Sequence, residues 1–509
     1  MRYDFILLVI FFLLSLSGCR EEEDTVASPP AAEPIPAMKD ATVEQQPPVP
    51  AEPGCRGCHT DVIMDGRHDF ACTDCHSGNN ETDQKDLAHQ GMVARAADPA
   101  HMETTCGRCH PEQTSGCAHS SHFTLKNAVN LVRRHFGIEP LLNGVTEIPD
   151  HANPPEDKEQ LVNDLLRRRC LRCHVYSKGD SYPHVRRGTG CAVCHLQYTD
   201  GRLHGQPENH AFIRPEERQC LSCHYGNHVG SDFVGYYEHD HDWSYRTPHV
   251  TRKDFLRPYG IEQHNLVPDI HQQAGMTCLD CHSGAELAGK KPSVQCVDCH
   301  SPEQDAQSVR ENIRLQGEDV FLQLRNQEKK ILIPQLQHPA HAKYMNQVAC
   351  QVCHAQWAFN DQAVHLLLSY SEDADPWQRL SVQSSSEVEN FVEHNLYSDK
   401  DEREPTMPDQ VSGKRKPGIW YAGFTTRRWE DLLIHKDRDD IIKVFRPILD
   451  LRLSAADEDG EVIADFDNLT GHSDGLLPYT PHTTGPAGIF YEQRFLRLLT
   501  AQPDHAEEQ

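Results

Sequence analysis

Nine times in 509 residues, two cysteines stand three positions apart with a histidine directly after the second. The sets are Cys55, Cys58 and His59; Cys72, Cys75 and His76; Cys106, Cys109 and His110; Cys170, Cys173 and His174; Cys191, Cys194 and His195; Cys220, Cys223 and His224; Cys278, Cys281 and His282; Cys296, Cys299 and His300; and Cys350, Cys353 and His354. They are numbered motif 1 to motif 9 in chain order. Two thiols at that spacing reach the two vinyl groups of one porphyrin and form thioether bonds, and the adjacent imidazole then lies under the iron as its proximal ligand. The chain holds 20 Cys and 33 His, so random placement yields about 0.05 such motifs. Zinc sites pair one C-x-x-C with another and need no His after each. A redox dithiol comes as a single copy in a thioredoxin-like setting. The cofactor set read from the motifs is nine c-type haems. Only Cys19 and Cys117 lie outside them, which leaves structural disulfides no place.

Nine irons call for nine further ligands. Twenty-four histidines lie outside the motifs, against six plausible methionines, Met64, Met92, Met102, Met276, Met345 and Met407. Histidine on both faces is therefore expected for most irons, with lower potentials than Met/His ligation. His68, His101, His184, His271 and His341 stand just upstream of a motif. A histidine so placed is expected to reach a neighbouring haem rather than cross to the far face of its own. His119 with His122, and His338 with His341, have the spacing of three that shares a helix face.

The elements that must hold these ligands are short. Motifs 1–9 occupy residues 54–358, about one haem per 33 residues, too little peptide for a conventional core, so the porphyrins are expected to serve as one. The expected fold is mainly α and irregular, with short helices and loops around stacked haems and a small haem-free α+β region over 359–509. The first cysteines fall as 55, 72, 106, then 170, 191, 220, then 278, 296, 350. That spacing suggests three trihaem modules, about 54–160, 165–265 and 270–358. In the C-terminal region, Ile441 to Leu453 and Glu461 to Phe466 flank Asp457-Glu458-Asp459-Gly460 and read as a hairpin. The cluster Tyr236-Tyr237-Glu238-His239-Asp240-His241-Asp242-Trp243 holds more polar and aromatic groups than a ligand loop requires.

Residues 1–18 read as an export signal: Phe5 to Leu16 is apolar but short for a membrane span. Leu16-Ser17-Gly18-Cys19 has the form of a bacterial lipobox, with lipid on Cys19; Arg20 rather than Asp after it favours the outer membrane. Residues 19–53 are an acidic, proline-rich linker, with eight prolines after Cys19. Extended, it spans up to roughly 100 Å. The formal charge of −27 makes nucleic acid and anionic lipid poor partners and favours cationic patches and metal or mineral surfaces.

The haem region resembles the multihaem cytochromes c of metal-respiring and sulfate-respiring bacteria. His338-Pro339-Ala340-His341 leading into Cys350 is similar to the H-x-x-H element of small tri- and tetrahaem members, which implies distal ligand roles for His338 and His341. Cys106 to His110 followed by Ser120-Ser121-His122 resembles an element of larger members, which implies the same for His122. Pro478-Tyr479-Thr480-Pro481-His482-Thr483-Thr484 is similar to a stretch that precedes a haem motif in some outer-membrane members. No motif follows it here, so His482 is a candidate ligand for an existing haem. The resemblance implies a lipid-anchored electron carrier rather than a conventional enzyme. Its expected partners are other multihaem cytochromes, an outer-membrane porin, and a metal or mineral acceptor. Two alternatives stand beside it. One is a reductase of a nitrogen or sulfur oxyanion with one open iron, although the C-x-x-C-K site of pentahaem nitrite reductases is absent and Cys117 is the residue left for an unusual site. The other is a subunit of a cytochrome filament.

Overall fold

The computed structural model describes residues 54–151, 154–181, 185–198, 210–224, 229–238, 263–302, 310–361, 364–377, 385–423, 427–430, 432–447, 450–468, 475–487 and 491–500. The expected signal and linker, Cys19, His184 and most of the aromatic cluster after Glu238 lie outside them.

Four strands and three helices set the frame. Helix α1 is Lys126–His135, α2 is Lys158–Arg168 and α3 is Ser386–Tyr397. Strands β1 (Val364–Ser369), β2 (Ile419–Ala422), β3 (Leu451–Ala456) and β4 (Val462–Asp467) form one sheet in the order β2-β1-β3-β4. The β1 and β3 strands run parallel, Leu453 beside Leu366, and the outer pairs are antiparallel. Every residue of β2 is buried, as are five of the six in β1 and in β3, as expected where both faces of a sheet are covered. The edge strand β4 is largely exposed. The expected hairpin is present as β3 and β4, with Gly460 at φ +81° in the turn and Asp457 Oδ1 accepting the Asp459 and Glu461 N–H groups. The upstream stretch Ile442–Pro447 belongs to a different sheet, beside Leu433–Lys436 and Leu476–Pro478.

The described residues form sixteen strands in six sheets alongside the short helices. The fold is therefore mixed α/β, and the mainly α and irregular fold expected from the motif density is corrected. The physical reason lies between and after the motifs. Residues 310–335 carry no motif, and their alternating apolar side chains pair as three strands, Ile313–Gln316, Asp319–Gln323 and Lys330–Leu332. Ile313, Val320, Leu322, Leu324 and Ile333 pack there against Met276 and Cys299.

A conventional hydrophobic core also crosses the expected boundary at residue 358. Val129, Leu161, Leu165 and Leu171 pack with Leu368, Val388, Phe391, Trp420 and Leu453. Helix α2 starts at Asp157, whose side chain accepts the Gln160 N–H at 2.8 Å, and is buried on all sides from Leu161 to Arg168. Most of its buried polar groups are accordingly paired. Arg168 Nε donates to Asp164 at 2.8 Å and its Nη1 to the Pro417 and Gly418 carbonyls, while Trp420 Nε1 donates to Asp164 at 2.7 Å. Arg167 Nε donates to the buried Asp409 carboxylate at 2.5 Å. This helix runs directly into motif 4.

At the far side of motif 4, Asp180 accepts from Arg172 at 3.3 Å and from the Ser386 backbone and hydroxyl; that hydroxyl also contacts Glu387 at 3.3 Å. Burial, then the charge of Asp180, pushes the Glu387 carboxyl up to about 7. A carboxyl raised in the folded state adds stability below its ordinary value of 4.5 and loses it as pH rises through 7. Glu387→Gln should therefore be more stable than the parent above pH 7, by on the order of 1–3 kcal/mol. The gain should vanish below pH 4.5, as followed by circular dichroism. A difference that is constant with pH would contradict this assignment. Among the described residues no helix is long and apolar enough to cross a membrane.

Candidate functional site

Seven of the nine motifs lie on α-helix, six as a single turn such as Cys55–Cys58, Cys72–His76, Cys278–Cys281 or Cys350–His354 and motif 6 within Glu217–His224, while Cys106–Arg108 of motif 3 is a 3₁₀ turn. Positions i, i+3 and i+4 lie on one helix face, which sends both thiols and the imidazole to the same side. The histidine N–H closes the turn on the first cysteine's carbonyl, at 2.8 Å for His59, His110 and His282, 3.0 Å for His300 and 3.1 Å for His195. In motif 7 a capping box of Thr277 and Asp280 holds the turn. Motif 4 differs further: Cys170–Cys173 is also a 3₁₀ turn, and the His174 N–H bonds to Leu171 at 2.9 Å. All eighteen motif cysteines and Cys117 are free thiols.

The Nδ1 atoms of five motif histidines are held. His76 Nδ1 lies 2.8 Å from the Val93 carbonyl, His195 3.0 Å from Ile213, His300 2.7 Å from Pro334 and His354 2.9 Å from Gly485; His282 Nδ1 is 2.9 Å from Glu286 Oε1. Each acceptor takes the Nδ1 proton and leaves the Nε2 lone pair for a metal, the arrangement that metal-bound histidines use. Two histidines outside the motifs are held in the same way: His68 by Asp65 at 2.9 Å and His271 by Asp269 at 2.8 Å. Asp269 is buried, which pushes its carboxyl up, but the His271 and Thr484 hydrogen bonds outweigh that and keep it below the usual carboxylate range.

Six motif imidazoles face a second imidazole. Ring centroids are 6.2 Å apart for His59 and His89, 5.9 Å for His76 and His210, 6.3 Å for His110 and His68, 6.3 Å for His224 and His122, 6.1 Å for His300 and His271, and 6.2 Å for His354 and His341. A metal–imidazole bond is about 2 Å and the nitrogen lies about 1.1 Å from its ring centre, so two imidazoles sharing one metal have centroids roughly 6.3 Å apart. The donor set thus fits an iron between each pair. Among the described residues no three His, Cys, Asp or Glu side chains converge as a bare-ion site. A porphyrin already supplies four ligands, so a facing pair is what a haem iron asks of the protein.

The sequence expectations fall into three groups. His68, His122, His271 and His341 each face a motif imidazole. His68 and His271 reach past the next motif, to motifs 3 and 8, whereas His341 faces the motif it precedes. His338 stands 6.4 Å from His341 and caps its helix, Nδ1 accepting the Ala340 N–H at 3.2 Å. His101 and His119 are exposed and face no motif imidazole at this spacing. His482 stands beside His224; burial, then His122, His482 and His282, lower the His224 pKa to about 4, so the ring is neutral and its lone pair free at neutral pH. His89 and His210 were not expected. Both follow a motif, by 13 and 15 residues, and only their downstream position at a similar distance could have flagged them.

For His174, His195 and His282, no second imidazole lies at this spacing among the described residues. His174 is buried, stacks on Tyr176 at 5.0 Å, and its Nε2 has no hydrogen bond of good geometry. Burial lowers its pKa to about 4. Cys117 packs with Met102, Phe123, Val175 and Val193 beside Cys191 and Cys194, and burial raises its thiol pKa, which marks a packed side chain rather than a reactive one.

The C-terminal region reaches the motifs directly. Thr484 N–H donates to Asp269 at 2.6 Å, Gly485 accepts from His354, and Arg494 donates to the Ala355 carbonyl at 2.9 Å. The stretch 483–485 therefore orients ligands of motifs 8 and 9 together. No protein-family model, curated protein sequence or solved structure matches the chain.

Proposed function

We propose that the chain is an electron relay, a multihaem c-type cytochrome holding nine haems through its nine motifs, most of them with histidine on both faces. The observation that carries this reading is the set of six facing imidazole pairs at 5.9–6.3 Å. Haem iron, when bound, cycles between ferrous and ferric and passes single electrons. At the six facing pairs the protein's part would be to supply two imidazoles to one iron, and five motif histidines are also held by the Nδ1 proton. The lipobox at Cys19 and the charge of −27 support an exported, lipid-anchored carrier at the outer membrane. Its acceptors would be a partner cytochrome, a porin-bound complex, or a cationic metal or mineral surface.

Intact mass of protein matured with a haem-attachment system should exceed the cleaved polypeptide by nine haems, and electron paramagnetic resonance should show low-spin ferric iron for most of them. Fewer attached haems, or a majority of high-spin iron, would overturn the reading. The oxyanion-reductase alternative has one observation in its favour: His174, with its buried Nε2 and no facing imidazole among the described residues, is where an open iron would be sought. A single high-spin signal that shifts on adding nitrite or sulfite would favour it.

A further inference from the structure

Resting on the haem reading above, we propose that the motifs do not line up in chain order: motifs 1-2-3-5-6-7-8-9 form one row, and motif 4 meets it from the side at the junction of motifs 5 and 6. The iron at His174 is then a side station and not a link.

The first cysteines pair off. The Cys55 thiol lies close enough to Cys72 for the two to influence each other's ionisation, as do Cys106 and Cys191, Cys220 and Cys278, and Cys296 and Cys350. These contacts join motifs 1 and 2, 3 and 5, 6 and 7, and 8 and 9. Cys170 of motif 4 alone has no such partner among its close contacts. Backbone and side-chain bonds then join the pairs to each other. Arg108 in motif 3 donates to the Asp74 carbonyl in motif 2 at 3.1 Å. Arg310 bridges the Cys281 carbonyl of motif 7 and Asp298 of motif 8, the latter at 3.9 Å. Within the pairs, Cys191 N–H donates to Ala97, upstream of motif 3, at 3.1 Å, and the Cys278 thiol lies 3.7 Å from Glu217, just before motif 6.

One short segment ties motifs 2, 3 and 5. His210 faces His76, the Phe212 N–H donates to Asp65, which holds His68 opposite His110, and Ile213 bonds His195 through both its N–H and its carbonyl. Motif 4 is thereby left out of the sequence between motifs 3 and 5. Its link is buried Arg187, four residues before Cys191, which donates to the Ser222 carbonyl of motif 6 at 3.3 Å and to the Arg172 carbonyl of motif 4 at 2.5 Å. On its other side motif 4 continues from α2 into the core shared with the C-terminal sheet. An electron passing along the row reduces one ferric iron as it oxidises its ferrous neighbour, and needs no step through His174.

Anomalous diffraction at the iron edge from crystals of the holoprotein tests this. Eight irons in one row, with the His174 iron beside it near those of His195 and His224, is the expected result. The His174 iron lying between those of His110 and His195 would overturn the order alone, while a map without nine peaks would overturn the haem reading and the order with it.

Discussion

Asp164→Ala should destabilise the protein by about 3–5 kcal/mol, because it leaves the Arg168 guanidinium buried and unpaired. Arg168 and Asp164 are each 1% exposed, and Asp164 Oδ1 accepts from both Arg168 Nε and Trp420 Nε1. His151 Nε2 lies 3.7 Å from its other oxygen. With a typical domain stability of about 5–15 kcal/mol, that loss is a large fraction of the whole. Urea unfolding followed by circular dichroism measures it, and a change below about 1 kcal/mol would contradict the account. Two further variants locate the cause. Asp164→Asn keeps an acceptor for Trp420 and should cost less. Asp164→Leu combined with Arg168→Met removes both charges and should recover much of the loss, because an apolar pair of similar volume replaces a buried ion pair at little cost. Helix α2 leads straight into Cys170, so Asp164→Ala should also loosen motif 4 while motifs 8 and 9, held from the 483–485 stretch, stay ordered.

The second large effect concerns ligands. His271→Ala should convert one iron from low to high spin, because His300 would keep its Nδ1 anchor and lose the imidazole 6.1 Å away. His89→Ala and His210→Ala should each do the same at His59 and His76. His101→Ala and His119→Ala should leave the spin count unchanged, since neither ring faces a motif imidazole. This contrast is the sharp part of the expectation: composition and closeness to a motif rank His101 above His210, and geometry reverses them. Paramagnetic resonance of the five variants decides it. A high-spin signal from His101→Ala, or none from His210→Ala, would refute the pairing. His271→Met should keep the iron low-spin and raise its potential, as thioether ligation does relative to imidazole. Asp269→Asn should shift the same potential upward without changing the spin state, because a neutral acceptor draws less on the Nδ1 proton and leaves His271 a weaker donor.

The nine motif positions were legible in the sequence because their signature is local. Two thioethers and a proximal imidazole must come from five consecutive residues, and one helical turn delivers them whatever surrounds it. A surplus of histidine was legible as well, since it is a matter of counting. Which histidine meets which motif was not. An axial ligand is selected through space, so His68 passes over motif 2 to reach motif 3, and His210 returns from beyond motif 5 to motif 2. No spacing rule along the chain encodes such a return. The same holds for the fold. Motif density argued for haems in place of a core, and around motifs 1 and 2 few side chains are buried. Yet the runs between and after the motifs carry period-two apolar patterns whose partners are remote, as β1 and β3 are. Parallel pairing across about ninety residues becomes visible only once the chain has closed on itself. The chain by itself determined where nine C-x-x-C-H turns stand. The tertiary structure alone decided which imidazoles face each other, the order in which motifs touch, and the buried Arg168–Asp164–Trp420 contact that seats motif 4, because each depends on residues brought together by packing rather than by spacing.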